Sequence, residues 1–144
     1  MGKKRIIQKQ DLTTEEGRAA AIKLTSQKKK MTEGIVHVQA TYNNTIISIT
    51  DGRGDVIMTS SAGALGFSGA KKATPYASTK VAEFLGDKAK ALGLKDINIL
   101  IKGVGSGRDA AARSFVAQGF DVHSIRDITP VPHNGPRAPK PRRV

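Results

Sequence analysis

The chain has no cysteine and no tryptophan. Without thiols there is no disulfide, no thiolate metal site and no cysteine nucleophile, and a reducing compartment suits it. Aromatic residues are 4% of its 144 residues, which argues against the stacking platforms used by many single-strand binders. No apolar run approaches the roughly twenty residues of a membrane span. The charged N-terminus lacks the apolar stretch of a secretory signal. Acid is scarce as well: 12 Asp+Glu face 24 Lys+Arg, for a formal net charge of +12. Such an excess points to a polyanion, either nucleic acid or an anionic membrane surface. A membrane helix would oppose a basic face to a bulky apolar one. The main helical stretch instead mixes Glu83 and Asp87 among its lysines, which favours nucleic acid and no membrane.

Catalytic constellations are missing too. His37, His123 and His133 have no metal-ligand spacing, and Ser106 and Ser114 have no base nearby in sequence. The expectation is a non-enzyme with no metal, no cofactor and no small-molecule substrate.

What is present is organised around residues 63–75, Gly-Ala-Leu-Gly-Phe-Ser-Gly-Ala-Lys-Lys-Ala-Thr-Pro. Glycines at every third position let the backbone turn freely and approach other groups closely. Lys71 and Lys72 follow, and Thr74-Pro75 reads as a helix start, with Thr74 the cap and Pro75 the first helical residue. A basic loop feeding a helix N-terminus favours an anion. The same residues also fit an ordinary strand-to-helix loop with solvated lysines.

Residues 1–33 read as a basic extension, with Lys3, Lys4 and Arg5 at one end and Lys28, Lys29 and Lys30 at the other. Capping-box spacing at Thr13-Thr14-Glu15-Glu16 allows a short helix over 14–24, weakened by Gly17. An α/β domain is expected over 34–129. Ile35–Ala40, Ile46–Thr50 and Val56–Ser60 form an antiparallel meander. Its turns are Tyr42-Asn43-Asn44-Thr45, where Asn tolerates the left-handed region, and Asp51-Gly52-Arg53-Gly54, an Asp-Gly type I′ signal. Ala77, Val81, Phe84, Leu85, Ala89 and Leu92 lie on one helical face, ended by Gly93. Ile97–Ile101 is apolar throughout, as in a strand covered on both faces. A second helix runs from about Asp109 to Gln118, and Phe120–Ile128 supplies the last strand. The β-β-β-α-β-α-β order predicts a mixed five-stranded sheet with helices packed on it.

Gly103-Val104-Gly105-Ser106-Gly107-Arg108 sits between strand and helix, where phosphate-binding turns occur. Its G-x-G-x-G spacing is one residue short of a dinucleotide fingerprint, and it comes late in a chain that opens with a meander. A tight structural turn and a polynucleotide cradle aided by Arg108 and Arg113 both remain. The order of elements also resembles ribonuclease H, but the strands carry no convergent carboxylate set for two cations. Residues 130–144 form an extended basic tail with five prolines and no acid. Its His133, Asn134, Arg137, Lys140, Arg142 and Arg143 can contact phosphates and polar groups along a groove. Asn134-Gly135 leaves the following N–H unshielded, and partial isoaspartate formation at Asn134 is expected.

Taken together, Asn43-Asn44-Thr45, Gly66-Phe67 through Lys72-Ala73-Thr74-Pro75, the Gly103–Arg108 turn, Asp127-Ile-Thr-Pro-Val-Pro-His-Asn-Gly135 and the closing Arg142-Arg143-Val144 resemble the family of small-subunit ribosomal protein number eleven, bacterial type. The resemblance covers residues 34–144. It implies a ribonuclease H-like fold without nuclease activity, and a cytoplasmic protein of the small-subunit platform. The partners implied are small-subunit rRNA, at hairpin loops of its central domain, neighbouring platform proteins, and mRNA near its exit. The expected RNA contacts are Asn43, Asn44, Arg53, Lys71, Lys72, Arg108, Arg113 and the tail residues named above. Ser68, Val104 and Pro136 depart from the arginine, proline and cysteine usual in that family. A nucleotide-binding α/β domain and a general DNA-binding protein are the alternatives.

Overall fold

The computed structural model describes residues 31–137 and residue 139. The elements are β1 (Glu33–Ala40), β2 (Thr45–Thr50), β3 (Val56–Ser61), a 3-10 helix (Gly69–Ala73), α1 (Pro75–Ala91), β4 (Asp96–Lys102), α2 (Gly107–Ala117) and β5 (Asp121–Asp127). The strands form one sheet in the order β3-β2-β1-β4-β5. β1–β2 and β2–β3 are antiparallel, whereas β1–β4 and β4–β5 are parallel. This is the α/β mixed five-stranded sheet expected from the sequence. Parallel neighbours need crossover connections, which α1 and α2 supply. The register therefore brings the ends of β1, β3, β4 and β5 to one end of the sheet, and both helices start there.

The core lies on one face. Val36 and Val38 of β1, Ile47 and Ile49 of β2, and Ile97 and Ile99 of β4 are at most 1% exposed. They alternate with half-buried or exposed residues, as the two-residue strand period requires. Val81, Leu85 and Ala89 of α1 and Ala111 and Phe115 of α2 close over them. Each large aliphatic side chain so buried contributes about 1.5–3 kcal/mol. Gly93 and Gly119 end the helices with positive φ (90° and 82°), and Leu94 and Phe120 donate back to Ala89 and Phe115.

Several local expectations are corrected. β4 is not buried on both faces, because both helices lie on the same side, and Asn98 and Leu100 face the other side half-exposed. Phe84 is 39% exposed, with Lys88 Nζ 4.0 Å above its ring. The buried stripe of α1 is instead Ala77, Ser78, Val81, Ala82, Leu85, Gly86 and Ala89. Small residues let α2 approach: a Cβ on Gly86 would meet Gln118 Oε1 at 1.6 Å. In the β2–β3 turn, positive φ falls on Gly54 (99°) rather than on Gly52. Asp51 Oδ1 accepts from the Arg53 and Asp55 amides at 2.9 and 3.0 Å, folding a three-residue loop closed by glycine instead of type I′. β1 begins at Glu33 and α2 at Gly107, two residues earlier than expected in each case.

Candidate nucleic-acid interface

Three loops meet at the shared end of the sheet. In the β1–β2 turn, Thr41 Oγ1 accepts from the Asn43 and Asn44 amides (3.4 and 3.1 Å) and donates to Asn44 O (3.0 Å). The threonine, rather than the asparagine side chains, holds this turn. Neither asparagine takes positive φ, Asn43 is exposed and Asn44 is half-buried.

The loop before α1 folds into the 3-10 helix. Thr74 caps α1 as expected, accepting from the Ala77 amide (3.3 Å) and donating to Lys71 O (2.7 Å), with Pro75 at the first position. Lys71 is exposed. Lys72 is half-buried, its stem 3.7 Å from the place a Cβ on Gly63 would occupy. Among the described residues neither lysine has an ion-pair partner. A cation free of internal acids meets a phosphate without first losing a carboxylate.

The third loop, Gly103–Gly107, is seated on the first two. A Cβ on Gly103 would lie 2.1 Å from Ala40 O, and one on Gly105 2.4 Å from Thr41 O. One on Gly107 would strike Ser78 Oγ at 1.9 Å and Thr45 Oγ1 at 2.7 Å. These two hydroxyls bond each other at 2.7 Å in the buried interior. Ser106 Oγ donates to Ala73 O (2.9 Å), joining this loop to the end of the 3-10 helix. The G-x-G-x-G run is thus a packing seam in which each glycine admits a neighbouring element.

The predicted residues divide accordingly. Asn43, Asn44, Lys71 and Lys72 lie at this one end. The chain leaving β5 starts there too, since the Gly103 amide donates to Thr129 Oγ1 (3.0 Å) and the Ile128 amide to Ile101 O (2.8 Å). His133, Asn134 and Arg137 follow in exposed, irregular chain, with Asn134 in the left-handed region (φ 52°). Lys140, Arg142 and Arg143 fall outside the described residues, as does the helix expected over 14–24.

Arg53 sits in the β2–β3 turn, at the opposite end of β2, about 20 Å away at 3.3 Å per residue. Arg113 lines a groove of about 540 Å³ between α1 and α2, with Thr79, Glu83 and Asp109 and with Pro75 and Ser106 of the shared end. Arg108 is engaged inside the protein: Nη2 donates to Asp127 Oδ2, Nη1 to Gly103 O at 2.8 Å, and Nε lies 3.6 Å from Asp109 Oδ1. Hydrogen bonds from Thr129 and then Arg108 hold the Asp127 carboxyl well below the usual carboxylate range.

Low aromatic content hid two further residues. The chain's two tyrosines, Tyr42 and Tyr76, are 78% and 64% exposed and sit in the β1–β2 turn and the first turn of α1. Phe67 meets Tyr76 edge-on (6.1 Å, 82°), and Lys80 Nζ is 5.7 Å from its ring centre. Their position beside Asn43 and Pro75 is the available cue; composition averages it away.

Among the described residues no group of three His, Asp or Glu could hold a metal, and no helix is long and apolar enough to cross a membrane. A mixed α/β sheet that gathers lysines, polar turns and exposed tyrosines at one end has the build of an RNA-binding protein. Residues 34–143 match ribosomal protein S11, and the chain belongs to that family. As a member it is a cytoplasmic component of the small ribosomal subunit that binds rRNA alongside other ribosomal proteins. The family is structural rather than enzymatic.

Proposed function

We propose that the end of the sheet holding the β1–β2 turn, the 3-10 helix and the Gly103–Gly107 loop is the rRNA-binding surface. On this reading the protein, itself no enzyme, sits on the platform of the small subunit. It binds hairpin loops of the central rRNA domain and reaches neighbouring platform proteins and mRNA near its exit. Residues 34–129 form the binding domain, and residues 1–33 and 130–144 are basic extensions from it. Lys71 and Lys72 neutralise phosphates, Asn43 and Asn44 offer polar turn groups, and His133, Asn134, Arg137, Lys140, Arg142 and Arg143 follow a groove in the RNA. Tyr42 and Tyr76 stack on bases splayed from a loop, the usual mode of sequence reading in RNA.

The observation that carries this reading is the convergence of three loops on one end of the sheet, joined by the Gly103–Gly107 contacts and the Ser106–Ala73 bond, with Lys71 and Lys72 on it and without an ion-pair partner among the described residues. Phosphate contacts set orientation, and such contacts require fixed donors. The test is binding of the full chain to a transcript of the central rRNA domain across salt concentrations. With about six phosphates neutralised, log affinity falls against log salt with a slope of about −4 to −5. A slope near zero removes the electrostatic mechanism. Equal affinity for duplex DNA would favour a general DNA binder, and saturable binding of ATP or NAD a nucleotide-binding domain. Tyr42→Ala and Tyr76→Ala each weaken RNA binding by about 1–3 kcal/mol; wild-type affinity in both variants would remove the stacking role.

A further inference from the structure

Arg108 reads in the sequence as a phosphate ligand, yet its surroundings describe another task. Asp127 Oδ1 accepts from the Thr129 amide (2.9 Å) and from Thr129 Oγ1 (2.6 Å), while Oδ2 accepts from Arg108 Nη2. Arg108 Nη1 donates to Gly103 O (2.8 Å), and the Gly103 amide donates to Thr129 Oγ1 (3.0 Å). The bonds close a ring: Asp127, Arg108, Gly103, Thr129 and back to Asp127. It joins the last residue of β5 to the loop seated on the RNA end of the sheet. Pro130 follows directly and restricts Thr129 to extended backbone. Pro132 stiffens the next step. A direction set at Asp127–Thr129 is therefore carried into the basic tail.

We propose that Arg108 is a positioning residue: with Asp127 and Thr129 it forms a latch that sets the direction in which the tail leaves the sheet toward rRNA. A phosphate placed on this guanidinium would have to lie against the Asp127 carboxylate, at a cost in repulsion. Among the described residues no acid pairs with Lys71 or Lys72. Fixing the tail's exit lowers the conformational entropy lost when the tail docks, which appears as affinity without any contact between the latch and RNA.

The inference rests on the rRNA-binding reading, and the experiment separates the two. Wild type, Arg108→Gln and Asp127→Asn are titrated with the central-domain transcript across salt. The same set is repeated in a full-length chain with Arg137, Lys140, Arg142 and Arg143 changed to Gln. Each latch substitution should weaken binding about tenfold with an unchanged salt slope, and should lose its effect once the tail is neutral. A loss that persists in the neutral-tail chain overturns the proposal, because a general effect on folding would do the same. So does a phosphate-ligand pattern, in which Asp127→Asn tightens binding and Arg108→Gln makes the slope shallower by about 0.7–0.9. Amide exchange at Gly103 and Thr129 in the free protein needs no RNA. Asp127→Asn should speed both about tenfold, and unchanged exchange removes the latch whatever the binding result. Faster exchange in a protein that ignores the transcript keeps the latch and discards the RNA reading instead.

Discussion

The loops before α1 and before α2 have the same ingredients, several glycines followed by cations, and the fold uses them in opposite ways. In the first, an added Cβ at Gly66 or Gly69 would touch nothing within 4 Å; these glycines serve the backbone through positive φ (89° and 56°). In the second, Gly103, Gly105 and Gly107 are pressed against Ala40, Thr41, Thr45 and Ser78. The cations follow suit: Lys71 and Lys72 have no ion-pair partner among the described residues, whereas Arg108 is bound to Asp127 and Gly103. A glycine-rich basic loop is therefore no function in itself. What decides is whether neighbouring elements already occupy its glycines and its charge.

The comparison can be broken most forcefully at the glycines. Gly103→Ala combines positive φ with a collision against the Ala40 carbonyl and should cost about 3 kcal/mol or more in chemical denaturation. Gly66→Ala meets only the backbone penalty, about 1–2 kcal/mol. Equal losses would mean the two loops are not differently packed. Next in size, changing Lys71 and Lys72 together to Gln should lower rRNA affinity about tenfold and make the salt slope shallower by about 1.4–1.8. Stability should stay within about 0.5 kcal/mol. A slope that does not move would place these lysines off the RNA. Smaller still, Arg53→Gln, at the opposite end of β2, should change affinity less than about twofold; a loss as large as that of the lysine pair would relocate the surface.

The smallest effect expected is that of pH. The Asp127 carboxyl is depressed in the folded state, so its bonds contribute fully above the unfolded value of about 3.9 and are lost as pH falls through the lower folded value. Amide exchange at Thr129, corrected for its intrinsic pH dependence, should show constant protection from pH 8 to pH 5. Protection lost near neutrality would show that Asp127 is not the group holding the turn.

Much of the fold was legible because the decisive signals are local. Thr74-Pro75 is a cap followed by an N1 proline and needs no distant partner. Gly93 and Gly119 close helices because only the residue after a helix must enter positive φ. Phe84 misled because helical spacing does not say that α2 comes in over Gly86 and Ala82, leaving Phe84 outside. Asp-Gly misled because the Asp51 carboxylate reaches two amides and shifts the glycine requirement to Gly54. At the site, Lys71 and Lys72 stood out by position in the chain, while Tyr42 and Tyr76 vanished into a 4% aromatic average.

From its residues alone this chain has its basic balance, its alternation of strand and helix, its turn positions and its family motifs, because composition, periodicity and capping act over a few neighbouring residues. Only the tertiary structure determines which cations stay free. Arg108 and Asp127 are 19 residues apart, and they meet because β5 pairs parallel to β4 with Asp127 opposite Ile101, a relation between strands that no short stretch of sequence contains.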